Sequence, residues 1–176
     1  MHQISEHERD ELFDTFQHSA LHLEMRDSYS ADEEKGRFAN WLRGAEPDEQ
    51  ADAEWWRPWY EFMAEHTTHG HTLQRLRIIS EPVTQYVRFE WSETKHLICA
   101  GEDVRWLPRQ AASTLMLPGN DFWLFDTETV VFTHFSGDGQ ALGYELTTDP
   151  VIVQTCALSF AQAWEIATPH EQYEPS

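Results

Sequence analysis

The sequence predicts an α/β domain, with α+β as the variant: a mixed sheet of about five strands with helices on both faces. Three observations carry this expectation. Apolar residues at helical spacing come first in the chain. Three short apolar runs, 122–125, 130–135 and 142–146, then follow one another as a meander would. A closing segment, 150–167, returns to helical spacing. A mixed sheet covered on both sides satisfies that order. The 176 residues amount to one domain. Such a chain buries roughly 70% of the surface it exposes when unfolded, so it needs no disulfide or metal staple. Within it, 1–54 reads as an N-terminal helical region, 55–170 as the α/β core and 171–176 as a tail.

The elements follow in order. Ser5 stands three before Glu8, a capping-box spacing that predicts a helix over 6–18 with Leu12, Phe13 and Phe16 buried. Residues 20–25 read as a short strand. Ser30 and Glu33 repeat the capping spacing ahead of Phe38, Trp41 and Leu42, and Gly44 ends that helix. The acidic stretch 45–53, with Pro47, reads as a loop. Pro58 suits a first helical turn, so the next helix is placed from Arg57 to Gly70. Residues 73–79 alternate as a strand does. The segment 82–97 fits both periods, and Ser80 before Glu81-Pro82 tips it to helix, capped at Ser80. A strand over 103–107 leads to the meander, whose Asp138-Gly139 pair suits a hairpin turn. Asp149-Pro150 is a cap followed by a first-turn proline.

Charge is lopsided: 31 acidic residues against 12 basic ones give −19. Lys35 and Lys95 are the only lysines, and no Lys or Arg follows Arg109. Such a surface repels phosphate backbones and anionic lipid, which argues against direct nucleic-acid or membrane binding. A basic protein partner is the natural complement, solubility alone is the plainer account, and a homodimer stays open. Cys99 and Cys156 sit among apolar residues and read as buried free thiols in a reducing cytosol. The first residues show no basic and apolar leader pattern, so a cytoplasmic protein is expected.

Four clusters are candidates for chemistry. Arg77, Arg88, Arg105 and Arg109, with Arg75, crowd half of the arginines into 35 positions. Arginine forks grip carboxylates and phosphates, so the cluster suggests an anion site at the strand ends. The plainer reading pairs these arginines with Glu81, Glu90, Glu102 and Asp103. Trp55, Trp56 and Trp59 fit either a core stripe or interface anchors. His66, His69 and His71 have the density of a metal site but no cysteine beside them, so no metal or other cofactor is expected. Asp121, Asp126 and His134 suit an acid–base set, or turn and cap duties.

Several stretches carry a resemblance: 75–82, 86–90, Ala-Gly-Glu-Asp-Val-Arg-Trp-Leu-Pro-Arg at 100–109, Leu-Pro-Gly-Asn-Asp-Phe-Trp-Leu-Phe-Asp at 117–126, 134–139, and 23–29. Together they resemble an actinobacterial family of unknown function, often encoded beside helix-turn-helix regulators. The order of elements from His69 to Ala167 is similar to one half of a phospholipase-D-like fold. Enzymes of that fold use His-x-Lys-x-x-x-x-Asp. Here Glu33 and Glu93 stand two before the only lysines, so the motif is missing. The resemblance therefore implies a degenerate, non-catalytic half domain. Its expected role is a regulatory or protein-interaction module acting with a helix-turn-helix regulator. The alternative is a sensor or enzyme for a small anion held by the arginine cluster.

Overall fold

The computed structural model describes residues 1–31, 34–46 and 48–176. In chain order the elements are β1 (His2–Ile4), α1 (Glu6–Thr15), β2 (Ser19–Glu24), α2 (Lys35–Leu42), α3 (Glu49–Thr68), β3 (Thr72–Ile79), α4 (Gln85–Ala100), β4 (Asp103–Pro108), β5 (Asp121–Phe125), β6 (Thr129–Phe135), β7 (Ala141–Thr147), α5 (Pro150–Ile166) and β8 (Thr168–Pro169). Among the described residues the strands form one open mixed sheet in the order β1-β7-β6-β5-β2-β3-β4-β8. The α/β class expected from sequence holds. Eight strands replace the expected five or so, because β1 and β8 are edge pieces of three and two residues, too short to show a period. β2 is the hinge of the topology: it pairs parallel with β3 and antiparallel with β5.

The helix starts obey local chemistry, though not always where expected. The Ser5–Glu8 capping box forms, with Ser5 N–H donating to Glu8 at 2.7 Å. α1 stops at Thr15 rather than 18, because the Asp126 carboxylate accepts the N–H groups of Gln17, His18 and Ser19 at 2.7–3.0 Å. The Ser30–Glu33 cap and Pro47 involve positions outside the described residues. α3 begins at Glu49, eight residues before the expected Arg57, because Asp48 caps the N–H groups of Gln50 and Ala51. Pro58 then sits inside the helix, on its exposed side, where water can serve the orphaned carbonyl. Segment 85–100 is helical, capped by Thr84 and not by Ser80. Ser80 instead donates its N–H and hydroxyl to Asp27, both at 2.7 Å.

The two-residue period of the strands sorts side chains to two faces. Towards α5 lie Leu23, Leu76, Ile78, Leu107, Phe122 and Val130, sealed by Val153, Cys156, Phe160 and Ala163. Burying each large side chain contributes about 1.5–3 kcal/mol. On the opposite face Ala20, Leu73, Phe125 and Val131 meet Phe16 and Met63 at one end. Ile79 and Trp106 meet Val87 and Tyr173 at the other. Cys156 is buried as expected, and burial pushes its thiol up to about 11. Cys99 is exposed, because it lies on the outer side of α4.

Candidate functional site

Between those two apolar ends, the middle of the same face is polar. His22 and Glu24 alternate with Leu21 and Leu23 on β2. Register pairs His22 with Arg75 and with Trp123, and Glu24 with Arg77. Asp121 on β5 lies opposite Thr133 on β6. These residues floor a cavity of about 600 Å³. α3 walls it with Trp55, Trp56 and Trp59, and α4 with Tyr86, Phe89 and Glu90. The loop after β2 closes one end with Tyr29 and Ser30, and Ala141 of β7 stands at the rim.

The floor is an interlocked set of ions. Arg77 Nε lies 2.9 Å from Glu24 Oε2, although its N–H does not point at that oxygen. Arg77 also donates to Glu90. Arg75 bridges Glu24 and Glu102, the latter at 2.7 Å. Burial alone would raise the Glu24 carboxyl, but Arg77 and then Arg75 outweigh it and hold it down at about 2. Burial pushes His22 down to about 3, so it is neutral, and its ring stacks on Trp123 at 4.0 Å. The other two lining arginines are also engaged. Arg37 donates to Asp52 at 2.6 Å and to Glu93. Arg9 reaches Asp10 at 2.9 Å and the Tyr144 hydroxyl at 2.5 Å.

Two lining carboxylates differ. Asp121 accepts the Tyr29 hydroxyl at 2.5 Å and the Met25 N–H at 2.9 Å. Glu34 accepts the Tyr86 hydroxyl at 2.8 Å. Neither forms an ion pair among the described residues. Burial pushes Asp121 up to about 6, against the Tyr29 bond. Burial, and then the charge of Glu90, raise Glu34.

The residues singled out in the sequence fall in several places. Arg77 lies in the cavity floor. Arg88 reaches the Pro175 carbonyl at 3.2 Å, beside the C-terminal segment. Arg105 is on the other face of the sheet, 4.4 Å over the Trp164 ring and donating to the Trp164 carbonyl. Arg109 sits at the strand ends on the Met25 and Ile78 carbonyls. The four do not converge. Trp55, Trp56 and Trp59 do come together, as cavity wall, and the indole N–H groups of Trp56 and Trp59 are buried with no acceptor among the described residues. His66 and His71 meet at 2.9 Å between Nδ1 atoms under Phe16, while His69 turns to the Glu65 carbonyl. Of the acid–base trio, Asp121 lines the cavity, Asp126 holds the start of β2, and His134 lies 3.3 Å from Glu145. Glu24, Glu34, Tyr29 and Tyr86 were missed in the sequence. The alternation around Glu24 was the only local sign of which face it takes.

Among the described residues no helix is long and apolar enough to cross a membrane. No curated protein matches the chain. Among solved structures it is similar to TrmBL2, an archaeal chromatin protein described as showing a novel mode of DNA binding, at 14% identity and a TM-score of 0.46. That match covers 92% of this chain, which spans about half (49%) of the other. Residues 7–175 match the domain of unknown function DUF6879, so the chain belongs to that family.

Proposed function

We propose that the chain is a non-catalytic regulatory module that binds a small molecule in the cavity over β2, β3 and β5. One observation carries the reading: about 600 Å³ of concave space with a charged floor and aromatic walls, inside the usual range for small-molecule sites. A module that worked only through a flat protein interface would have no use for such a space. The chemistry around it favours binding over turnover. Among the described residues His22 is the one imidazole lining it, is held neutral, and is stacked on Trp123 rather than bonded to a hydroxyl nucleophile. The net charge of −19 supports a basic protein as recipient of the signal, with a helix-turn-helix regulator as first candidate.

The test is a thermal-shift screen of the full chain against a metabolite library, run beside Ala141→Trp. Ala141 is exposed at the rim and belongs to none of the apolar clusters, so a tryptophan there is expected to obstruct the cavity and spare the core. Compounds that stabilise the parent chain and not Ala141→Trp support the reading. Equal shifts in both proteins, or none in either, overturn it.

A further inference from the structure

We propose that the cavity is a receptor for a small organic cation, a quaternary or otherwise delocalised nitrogen centre on an apolar body. This rests on the reading of the cavity as a ligand site and adds the sign and shape of what it holds.

The charges point one way. Arg75 and Arg77 are each shared between two carboxylates, with side chains only 12% and 7% exposed. Arg37 is likewise held by Asp52 and Glu93, and Arg9 by Asp10 and Glu6. An anion entering the cavity could reach the unpaired N–H groups of Arg77, Trp56 and Trp59, but it would compete for these arginines with the carboxylates that already neutralise them, and a buried carboxylate deprived of its partner is strongly destabilising. A cation breaks nothing. Glu34 and Asp121 line the cavity with no cationic partner among the described residues, and each is oriented by a tyrosine hydroxyl. Their positions are coupled, because the Tyr29 and Tyr86 rings lie 6.2 Å apart. The unmatched negative charge is thus gathered around one tyrosine pair.

The walls point the same way. Aromatic faces carry negative potential and attract cations within about 6 Å of the ring centre. The protein's own cations already use four rings of the lining: Arg9 lies 4.5 Å over Tyr144, Arg26 5.4 Å over Phe135, Arg37 5.4 Å over Trp55 and Arg75 5.7 Å over Trp123. Trp56, Trp59, Tyr29 and Tyr86 add further rings to the lining. Carboxylates beside such rings fit a weakly hydrated organic cation better than a metal ion, which needs converging oxygen or nitrogen ligands. No group of three metal-capable side chains occurs among the described residues. The volume suits a whole free molecule rather than one side chain of a peptide.

Tryptophan-fluorescence titration of the full chain tests this. The probes are choline, phenyltrimethylammonium, the neutral carbon isostere of choline and benzenesulfonate. The expected result is that a cation binds about tenfold tighter than the neutral isostere, and that benzenesulfonate binds no better than the isostere. Glu34→Gln keeps an oxygen for the Tyr86 hydroxyl, and Asp121→Asn keeps its oxygen for the Met25 N–H while its amide N–H can donate to the Tyr29 hydroxyl oxygen, so both should fold. Each should weaken the cation about fivefold and leave the isostere unchanged. Equal affinity for cation and isostere, preference for the sulfonate, no binding of either cation, or no effect of the two variants would overturn the assignment. If these probes fail while the library yields ligands blocked by Ala141→Trp, the cation assignment falls and the cavity reading stands. If the library fails too, both fall.

Discussion

The Tyr29 hydroxyl donates to Asp121 at 2.5 Å, tying the loop after β2 to the first residue of β5. The same carboxylate accepts the Met25 N–H, so one buried acid holds that loop at two points. Its folded value, about 6, lies above the ordinary 3.8, first because of burial. Glu24 adds to the rise, while the Tyr29 and Met25 bonds and Arg26 oppose it.

Asp121 therefore leaves a signature in stability against pH. Between about pH 4 and 6 the folded protein holds a proton that the unfolded chain has released. Its contribution is fully present below the ordinary value and is lost as pH rises through 6, by an amount on the order of 3 kcal/mol. Asp121→Asn cannot ionise and keeps an oxygen for the Met25 N–H. Urea melts at steps from pH 4 to 7.5 should show that downward slope in the parent chain and a flatter one in Asp121→Asn.

Glu24 should behave with the opposite sign. Its value is held at about 2, so its stabilisation is present above 4.5 and is lost as pH falls towards 2. At neutral pH Glu24→Gln leaves Arg75 and Arg77 under-compensated in a buried site and should cost about 3–5 kcal/mol. Equilibrium denaturation at pH 7 measures the loss. The acid limb of the variant should also be shallower than that of the parent.

Gly139→Ala tests how the rim of the cavity is built. Gly139 has φ +85°, and a methyl group there would meet the Ser28 carbonyl oxygen at 2.8 Å and the Tyr29 Cα at 3.2 Å. Both neighbours are backbone and cannot turn away. The substitution should destabilise by about 2 kcal/mol and displace the loop that carries Tyr29. The midpoint of thermal unfolding and the tryptophan emission of the native state report the two effects.

Asp126→Ala removes the single acceptor for the N–H groups of Gln17, His18 and Ser19. Water can reach Gln17 and His18, so the cost should be about 1–2 kcal/mol. Faster amide exchange at Gln17–Ser19, with β6 and β7 unchanged, is the expected signature. Asp126→Asn should be milder, since asparagine tolerates the φ of +53° at this position.

Much of the fold could be read in the sequence because its strands and its last helix carry strong periods. The meander 122–146, the strand 73–79 and the helix 150–166 emerged within a residue or two of their positions. The start of α3 did not, because Pro58 is the louder signal and Asp48 the correct one. The site was harder. The i, i+2 spacing of Arg75 and Arg77 places them on one face, but a charged alternation ordinarily marks the solvent side. Here that face is covered by α3 and α4, which the sequence could not place. Two of the four suggested partners, Glu90 and Glu102, do pair with these arginines. Glu24, which was not among those suggested, lies about fifty residues upstream and is joined to these arginines only by the parallel register of β2 and β3. Arg105 shows the same rule from the other side, since one residue of register sends it to the opposite face.

The interlocked ions under the cavity also govern how this protein can change over generations. Glu24, Arg75, Arg77, Glu90 and Glu102 come from β2, β3, α4 and the α4–β4 turn, and each member touches at least one other. A substitution that is harmful alone can be harmless beside a matching one when the two residues share a partner. The five positions should therefore be strongly epistatic. Lineages that remodel the cavity floor would have to replace charges in pairs, whereas Trp55, Trp56 and Ala141 on the walls and rim can drift singly. Ligand preference can then diversify through the walls over a floor that is inherited as a block.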